Sequence, residues 1–232
     1  AFASVGMNGV LIFFALFCAA GAFFVRFLQD AEPSHDTVSD KGEYSGTIKA
    51  VSLFAILLYN IGIGIVWVYL FLVGLEAGMG EQGVANALTV SQFLGIAGAF
   101  LAVLFEVRLG RLLPLAVGVI GGAIAVYLLV GEIGASRYWL AVCAFNFLWN
   151  LSMPYLLATL ADFDASGRIV VHGVSMQFIG YAVGPWLAAQ LLGVGGFDAV
   201  NFTAAALFVA AAVFLVPGVL DQRIHLRRSI DS

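Results

Sequence analysis

Seven polar or aromatic residues sit inside long apolar runs at helical spacing: Asn60 with Trp67, Gln92, Asn146 with Asn150, and Gln177 with Tyr181. Asn146 and Asn150 are four apart, as are Gln177 and Tyr181, which puts each pair on one face of a helix. Asn60 and Trp67 are two turns apart on a common face. Amides donate and accept hydrogen bonds and indoles stack, so this chemistry suits recognition of a neutral solute, not acid–base work. It also suits helix–helix hydrogen bonding, which satisfies polar side chains in lipid. No carboxylate, lysine or arginine falls inside these runs, and His172 stands near the end of its own. Paired aspartates, a Ser–His arrangement and an H-E-x-x-H motif are all missing from the runs, so the expectation is a protein that is not an enzyme. Neither a metal site nor a cofactor is implied. Cys18 and Cys143 lie in apolar segments without ligand spacing and read as packing residues.

The elements that must position these residues follow from composition. The 232-residue chain is 62% hydrophobic and only 10% charged, against about 45–50% apolar and 25% charged for soluble domains. It has too little polar surface to face water on all sides. Stretches free of Asp, Glu, Lys and Arg form seven blocks: Ala1–Val25, Ala50–Leu75, Gln82–Phe105, Leu112–Gly131, Tyr138–Ala161, Ile169–Phe197 and Ala199–Leu220. Each is near or above the roughly 20 residues that carry a helix across a hydrocarbon core. Backbone groups in lipid must be satisfied internally, and the runs lack the alternation of a barrel strand, so helices are expected. The fold class read from the sequence is an all-α polytopic membrane bundle of seven transmembrane helices.

The charges between the blocks give a sidedness. Nine of the ten basic residues (Arg26, Lys41, Lys49, Arg108, Arg111, Arg168, Arg223, Arg227 and Arg228) fall in loops on one side, and Arg137 alone falls on the other. The positive-inside rule makes the richer side cytoplasmic, with the amino end outside and the carboxyl terminus cytoplasmic. The expected home is a plasma or bacterial inner membrane. No basic patch suggests nucleic acid. An outside start without Met or signal peptide reads as a chain cut from a longer protein. Residues 1–25 then form a helix left over from an amino-terminal half, 26–47 a cytoplasmic linker, 48–220 a six-helix unit and 221–232 a cytoplasmic tail.

Three short elements carry a family resemblance. In "FEVRLGRLLP", Arg108, Gly110 and Arg111 form a basic-x-Gly-basic hairpin between the third and fourth runs; "DFDASGR" runs from Asp162 to Arg168; "GYAVGP" runs from Gly180 to Pro185. Their order, sidedness and spacing resemble the carboxyl-terminal half of the major facilitator superfamily, preceded by the sixth helix and central loop. The hairpin departs from the family signature at Val103, Val107 and Leu112, which stand at its leading Gly, Asp and last basic positions. The resemblance implies a secondary transporter working by alternating access with a second, amino-terminal half. Its partners would be a small-molecule substrate, with or without a coupling ion, and membrane lipid. It implies that the second and fifth runs line the cavity, with Asn60, Trp67, Asn146 and Asn150 as leading contacts and Gln92, Gln177 and Tyr181 behind them. It also implies a cytoplasmic gate at Arg108, Gly110, Arg111, Asp162 and Arg168, whose plainer reading is that these charges only set topology. The alternative is a complete seven-helix receptor with its amino end outside. A retinal protein is excluded because the only lysines, Lys41 and Lys49, lie outside the final helix.

Overall fold

The computed structural model describes residues 6–25, 44–105, 112–164 and 166–231, with no strand among them. Six helical stretches follow in order: α1 (Gly6–Val25), α2 (Gly46–Glu76), α3 (Glu81–Phe105), α4 (Leu112–Tyr127), α5 (Ala135–Asp162) and α6 (Arg168–Asp231). The last breaks at Gly195 and Gly196 into two arms, 168–194 and 197–231. Seven helical rods result, one in each charge-free run. α1 belongs to a separate unit, Ala1–Ser39, while α2 to α6 form the unit Asp40–Ser232. The hairpin residues Arg108, Gly110 and Arg111 lie outside the described residues.

Among the described residues, four stretches are long and apolar enough to cross a membrane: Gly46–Glu76, Glu81–Phe105, Ala135–Asp162 and Arg168–Gly218. α4 is shorter than its run. It spans 16 residues, about 24 Å at 1.5 Å per residue, and ends at Tyr127 instead of continuing to Gly131. The backbone tightens after it, with the Leu129 N–H on Val126 and the Val130 N–H on Tyr127, and side chains capture the groups that follow. Asn201 Nδ2 donates to the Leu129 carbonyl at 3.0 Å, and an Arg137 guanidinium N–H donates to the Val130 carbonyl at 3.0 Å. The Gly131 N–H, in turn, donates to the Asp198 carboxylate at 2.6 Å. Carbonyls that would have lacked a helical partner are thus satisfied by α5 and by the second arm of α6.

Glycines set the packing. α2 is held between the two arms of α6, with Gly62 against Phe208 and Ala204 on one side and Gly64 against Gly180, Tyr181 and Gly184 on the other. A Cβ placed at Gly184 would lie 2.7 Å from the Ile61 carbonyl oxygen and 2.8 Å from Gly64 Cα, so these two backbones touch where no side chain fits. α5 is flanked in the same way. α3 meets it through Gly95 and Gly98, against Asn150, Phe147 and Leu151, and α4 meets it through Gly118, against Ser152. Small residues at such faces let membrane helices approach closely.

These pairings repeat under an exchange of α2, α3 and α4 for α5 and the two arms of α6. α2 pairs with the first arm as α5 pairs with α3, and α2 pairs with the second arm as α5 pairs with α4. α4 and the second arm pair with each other. α2 and α5 cross at a buried contact between the Tyr59 hydroxyl and Ser152 Oγ, 2.6 Å apart. The two three-helix units run in opposite directions. α2 begins at the end where Tyr44 packs on Phe163 (centroids 4.9 Å apart), and α5 finishes there.

The two ends differ in charge. Lys49 and Arg168 stand with Asp162 and Asp164 at the end marked by Tyr44 and Phe163. Glu76, Glu132 and Asp198 line a cavity of about 330 Å³ at the opposite end. The bend there is a backbone requirement: Gly196 has φ 65° and ψ −158°, a region open essentially to glycine alone.

Two substitutions separate close packing from helix propensity. Gly184→Ala should lower stability by about 1–3 kcal/mol by overpacking the α2–α6 crossing. Gly193→Ala, whose new Cβ meets nothing within 4 Å, should be neutral or slightly stabilising. Thermal unfolding in detergent micelles measures both.

Candidate functional site

The seven amides and aromatics expected to line a site are distributed over α2, α3, α5 and the first arm of α6, and the fold treats them differently. Asn146 is fully buried between α3 and α5. Its Nδ2 donates to Ser91 Oγ at 2.9 Å and to the Val142 carbonyl at 3.4 Å, while Gln92 Nε2 approaches its Oδ1 at 3.5 Å. Ser91 passes the chain on, donating to the Leu88 carbonyl at 2.7 Å. Asn146 thus holds two helices together in this conformation. Its expected partner in a site, Asn150, is half-buried. Asn150 Nδ2 donates to the Asn146 carbonyl at 2.9 Å and packs over Gly95.

Asn60 is the counterpart of Asn150 in the other three-helix unit. Its Nδ2 donates to the Ile56 carbonyl one turn back at 2.8 Å, and its Cβ lies over Gly180. Asn60 is fully buried, yet Oδ1 has no partner. Trp67, on the next turns of α2, is 39% exposed and meets Trp149 of α5 edge-on, ring centroids 6.0 Å apart. Trp149 in turn stacks on Phe145 and lies against the Tyr181 side chain, but its indole N–H meets no acceptor in hydrogen-bond geometry. Gln177 reaches α5 from the other side, with Nε2 3.8 Å from Met153 Sδ. The structure therefore gathers Asn60, Trp67, Trp149, Gln177 and Tyr181 around the junction of α2, α5 and the first arm of α6. Asn146 and Gln92 stand on the α3 flank of α5.

Two prolines add backbone acceptors at the same place. Proline has no N–H to give to the carbonyl four residues earlier. Pro154 in α5 withholds that donor from the Asn150 carbonyl, and Pro185 in α6 withholds it from the Tyr181 carbonyl. Both freed carbonyls belong to expected site residues.

Two features of this region escape a reading of single positions. One is Trp149. The other is an internal echo: Leu58-Tyr59-Asn60-Ile61-Gly62 in α2 answers Leu148-Trp149-Asn150-Leu151-Ser152 in α5, and Gln92-Phe93-Leu94-Gly95 in α3 answers Gln177-Phe178-Ile179-Gly180 in α6. A self-comparison of the chain exposes both matches, and the structure places the members of each at equivalent pairings.

Of the charged residues expected at a gate, Asp162 ends α5 and Arg168 begins α6. The residue that organises this loop is Asp164. One carboxylate oxygen accepts from the Ser166 N–H at 2.9 Å; the other accepts from the Ser166 hydroxyl at 2.6 Å and from the Arg168 N–H at 3.1 Å. This is a helix cap built on an Asx turn. The Asp-x-Ser-Gly order ahead of an apolar run signals it in the sequence. The Ser166 hydroxyl, followed by the Ser166 N–H, holds the Asp164 carboxyl below its ordinary range.

Among the described residues no group of three or more His, Cys, Asp or Glu could hold a metal ion. The 330 Å³ cavity lies at the acidic end of the bundle, away from the amides.

Asn146→Ala should cost about 1–3 kcal/mol, the scale for leaving a buried partner unsatisfied, with Asn150→Ala milder; thermal unfolding distinguishes them. For Asp164, a lowered folded pKa means stabilisation that is full above the unfolded value of about 3.9 and lost as pH falls through the folded one. An acid titration of the thermal midpoint should show this loss in the native chain and not in Asp164→Asn.

The chain matches no family model, no curated protein and no solved structure.

Proposed function

We propose that this chain is the carboxyl-terminal half of a secondary active transporter, resembling the major facilitator superfamily, that moves a small solute by alternating access. The observation that carries the reading is the pair of oppositely oriented three-helix units with matching motifs. Inverted repeats are a common plan of secondary transporters, which bind solute and coupling ion near mid-membrane at discontinuous helices. Asn60 and Trp149 stand near the middle of α2 and α5, and α5 and the first arm of α6 each carry a proline within the helix, Pro154 and Pro185. The charge difference between the ends supports a membrane orientation with Lys49, Arg168 and the carboxyl terminus cytoplasmic, in a plasma or bacterial inner membrane.

On this reading all seven rods span the bilayer, the six-helix unit faces an amino-terminal half of the same protein, and the polar face of α2, α5 and the first arm of α6 lines the path. Trp67, Asn150, Gln177 and Tyr181 are the accessible contacts. Asn60 is exposed by rocking, and Asn146 with Gln92 keeps α3 and α5 together. The DFDASGR loop belongs to the cytoplasmic gate, where Asp164 sets the start of α6 so that Asp162 and Arg168 are presented to neighbouring segments. The hairpin at Arg108, Gly110 and Arg111 has the same place. The chemistry is displacement of solute, without bond making.

Alternating access makes one position reachable from both sides in turn. A single cysteine at Gln177, with Cys18 and Cys143 replaced by serine, should react with a membrane-impermeant maleimide in right-side-out and in inside-out vesicles of the native polypeptide. Labelling from the outer side only would favour the seven-helix receptor and overturn the transporter.

A further inference from the structure

The polar inventory at the α2–α5–α6 junction points to a solute class, an inference that rests on the transporter reading. Asn60 Oδ1 is a buried acceptor without a donor, and the buried Trp149 Nε1–H faces only the Tyr181 hydroxyl, outside good hydrogen-bond geometry. Each such group costs roughly 1–3 kcal/mol while unmet, so the site is held short of its hydrogen-bonding complement. Pro154 and Pro185 add the Asn150 and Tyr181 carbonyls, which lack their helical donors. Among these unmet groups acceptors outnumber donors, and a solute that completes them offers more N–H than C=O.

Shape and charge narrow the class. Trp67 and Trp149 form an edge-on aromatic pair with centroids 6.0 Å apart, and Tyr181 adjoins it, so the walls suit a flat molecule. Within the charge-free runs of these helices, from Ala50 to Leu75, Tyr138 to Ala161 and Ile169 to Phe197, no carboxylate, lysine or arginine stands ready to neutralise a charge. An unpaired ion in this setting would carry a desolvation cost far above that of a neutral amide.

We propose that the site binds an uncharged planar solute of the primary-amide type, its N–H groups on Asn60 Oδ1 and the freed carbonyls and its C=O on Trp149 Nε1.

An isosteric series tests this on the whole chain purified in detergent, with binding read as a saturable rise in thermal midpoint. Benzamide should bind. N,N-dimethylbenzamide, which keeps the carbonyl and loses both N–H groups, should bind about tenfold or more weakly, as expected for one to two hydrogen bonds. Benzoate and the benzamidinium cation should be weaker still. Trp149→Phe, which keeps the ring and removes the N–H, should weaken benzamide by about tenfold, and Asn60→Ala should do likewise. Gln190→Ala, an exposed control on the first arm of α6, should not. The probe series on the native chain holds even where Asn60→Ala fails to fold. Equal or better binding of either charged analogue overturns the proposal, as does undiminished binding in Trp149→Phe or absence of any benzamide shift. Benzamide binding without exchange across the membrane removes the transporter reading and leaves the site. Exchange of a charged solute, indifferent to Trp149→Phe, removes the site and leaves the transporter.

Discussion

The bundle depends on backbone-to-backbone contact at glycine. α2 is held between two arms of one long helix, and at Gly64, Gly180 and Gly184 the main chains approach so closely that a methyl group has no room. For helices that lie in lipid, burying leucine against leucine gains little over leaving it against acyl chains. Association then rests on dispersion at close range and on hydrogen bonds across helices. The same device recurs on α5 at Gly95, Gly98 and Gly118, so the two crossing helices at the centre each have glycine-mediated neighbours on two sides. Tyr59 and Ser152 join them. Ser152 Oγ also bonds the Leu148 carbonyl at 2.9 Å, and this second bond requires its own hydrogen, so the Tyr59 hydroxyl is the donor between the two helices.

Around this frame nearly every buried polar side chain is matched. Tyr138 donates to the Leu70 carbonyl at 2.8 Å, Tyr155 to Ala102 at 2.9 Å and Asn201 to Leu129 at 3.0 Å. Each bond ties one helix to another while relieving a hydroxyl or amide of its desolvation penalty. Among the described residues four buried side-chain atoms are unmet, on Ser52, Asn60, Arg137 and Trp149. Ser52 and Arg137 lie near helix ends, whereas Asn60 and Trp149 occur at mid-helix, near carbonyls released by proline. A region of incomplete hydrogen bonding within an otherwise satisfied bundle is where a solute gains most by entering. The acidic cavity at the opposite end from Lys49 is different. Its lining side chain Asp198 already serves the Gly131 N–H, and its neighbours close a helix end.

What the sequence by itself determined is the set of rods and their segregation from charge. Seven charge-free runs became seven helical rods because backbone groups within long apolar segments bond within their own segment, four residues back, and that constraint acts locally. The caps were legible for the same reason: Asp164 and Ser166 act on amides two to four residues away. So was the choice of polar residues to watch, since amides in apolar runs are few. Tertiary structure alone decided their roles. Asn146 and Asn150 share a helical face, yet one bonds across to Ser91 and the other lies half-open, because α3 covers only part of that face. Trp149 became notable only when Trp67 and Tyr181 were brought against it from other helices. The turn after α4 is likewise held partly by tertiary contacts, since Asp198 and Asn201 come from distant points, and Arg137 from the next helix, to bond the backbone groups that follow it. Helical periodicity reports which side chains point together; it carries no information on which neighbour arrives, and hydrogen bonding and close approach depend on that neighbour.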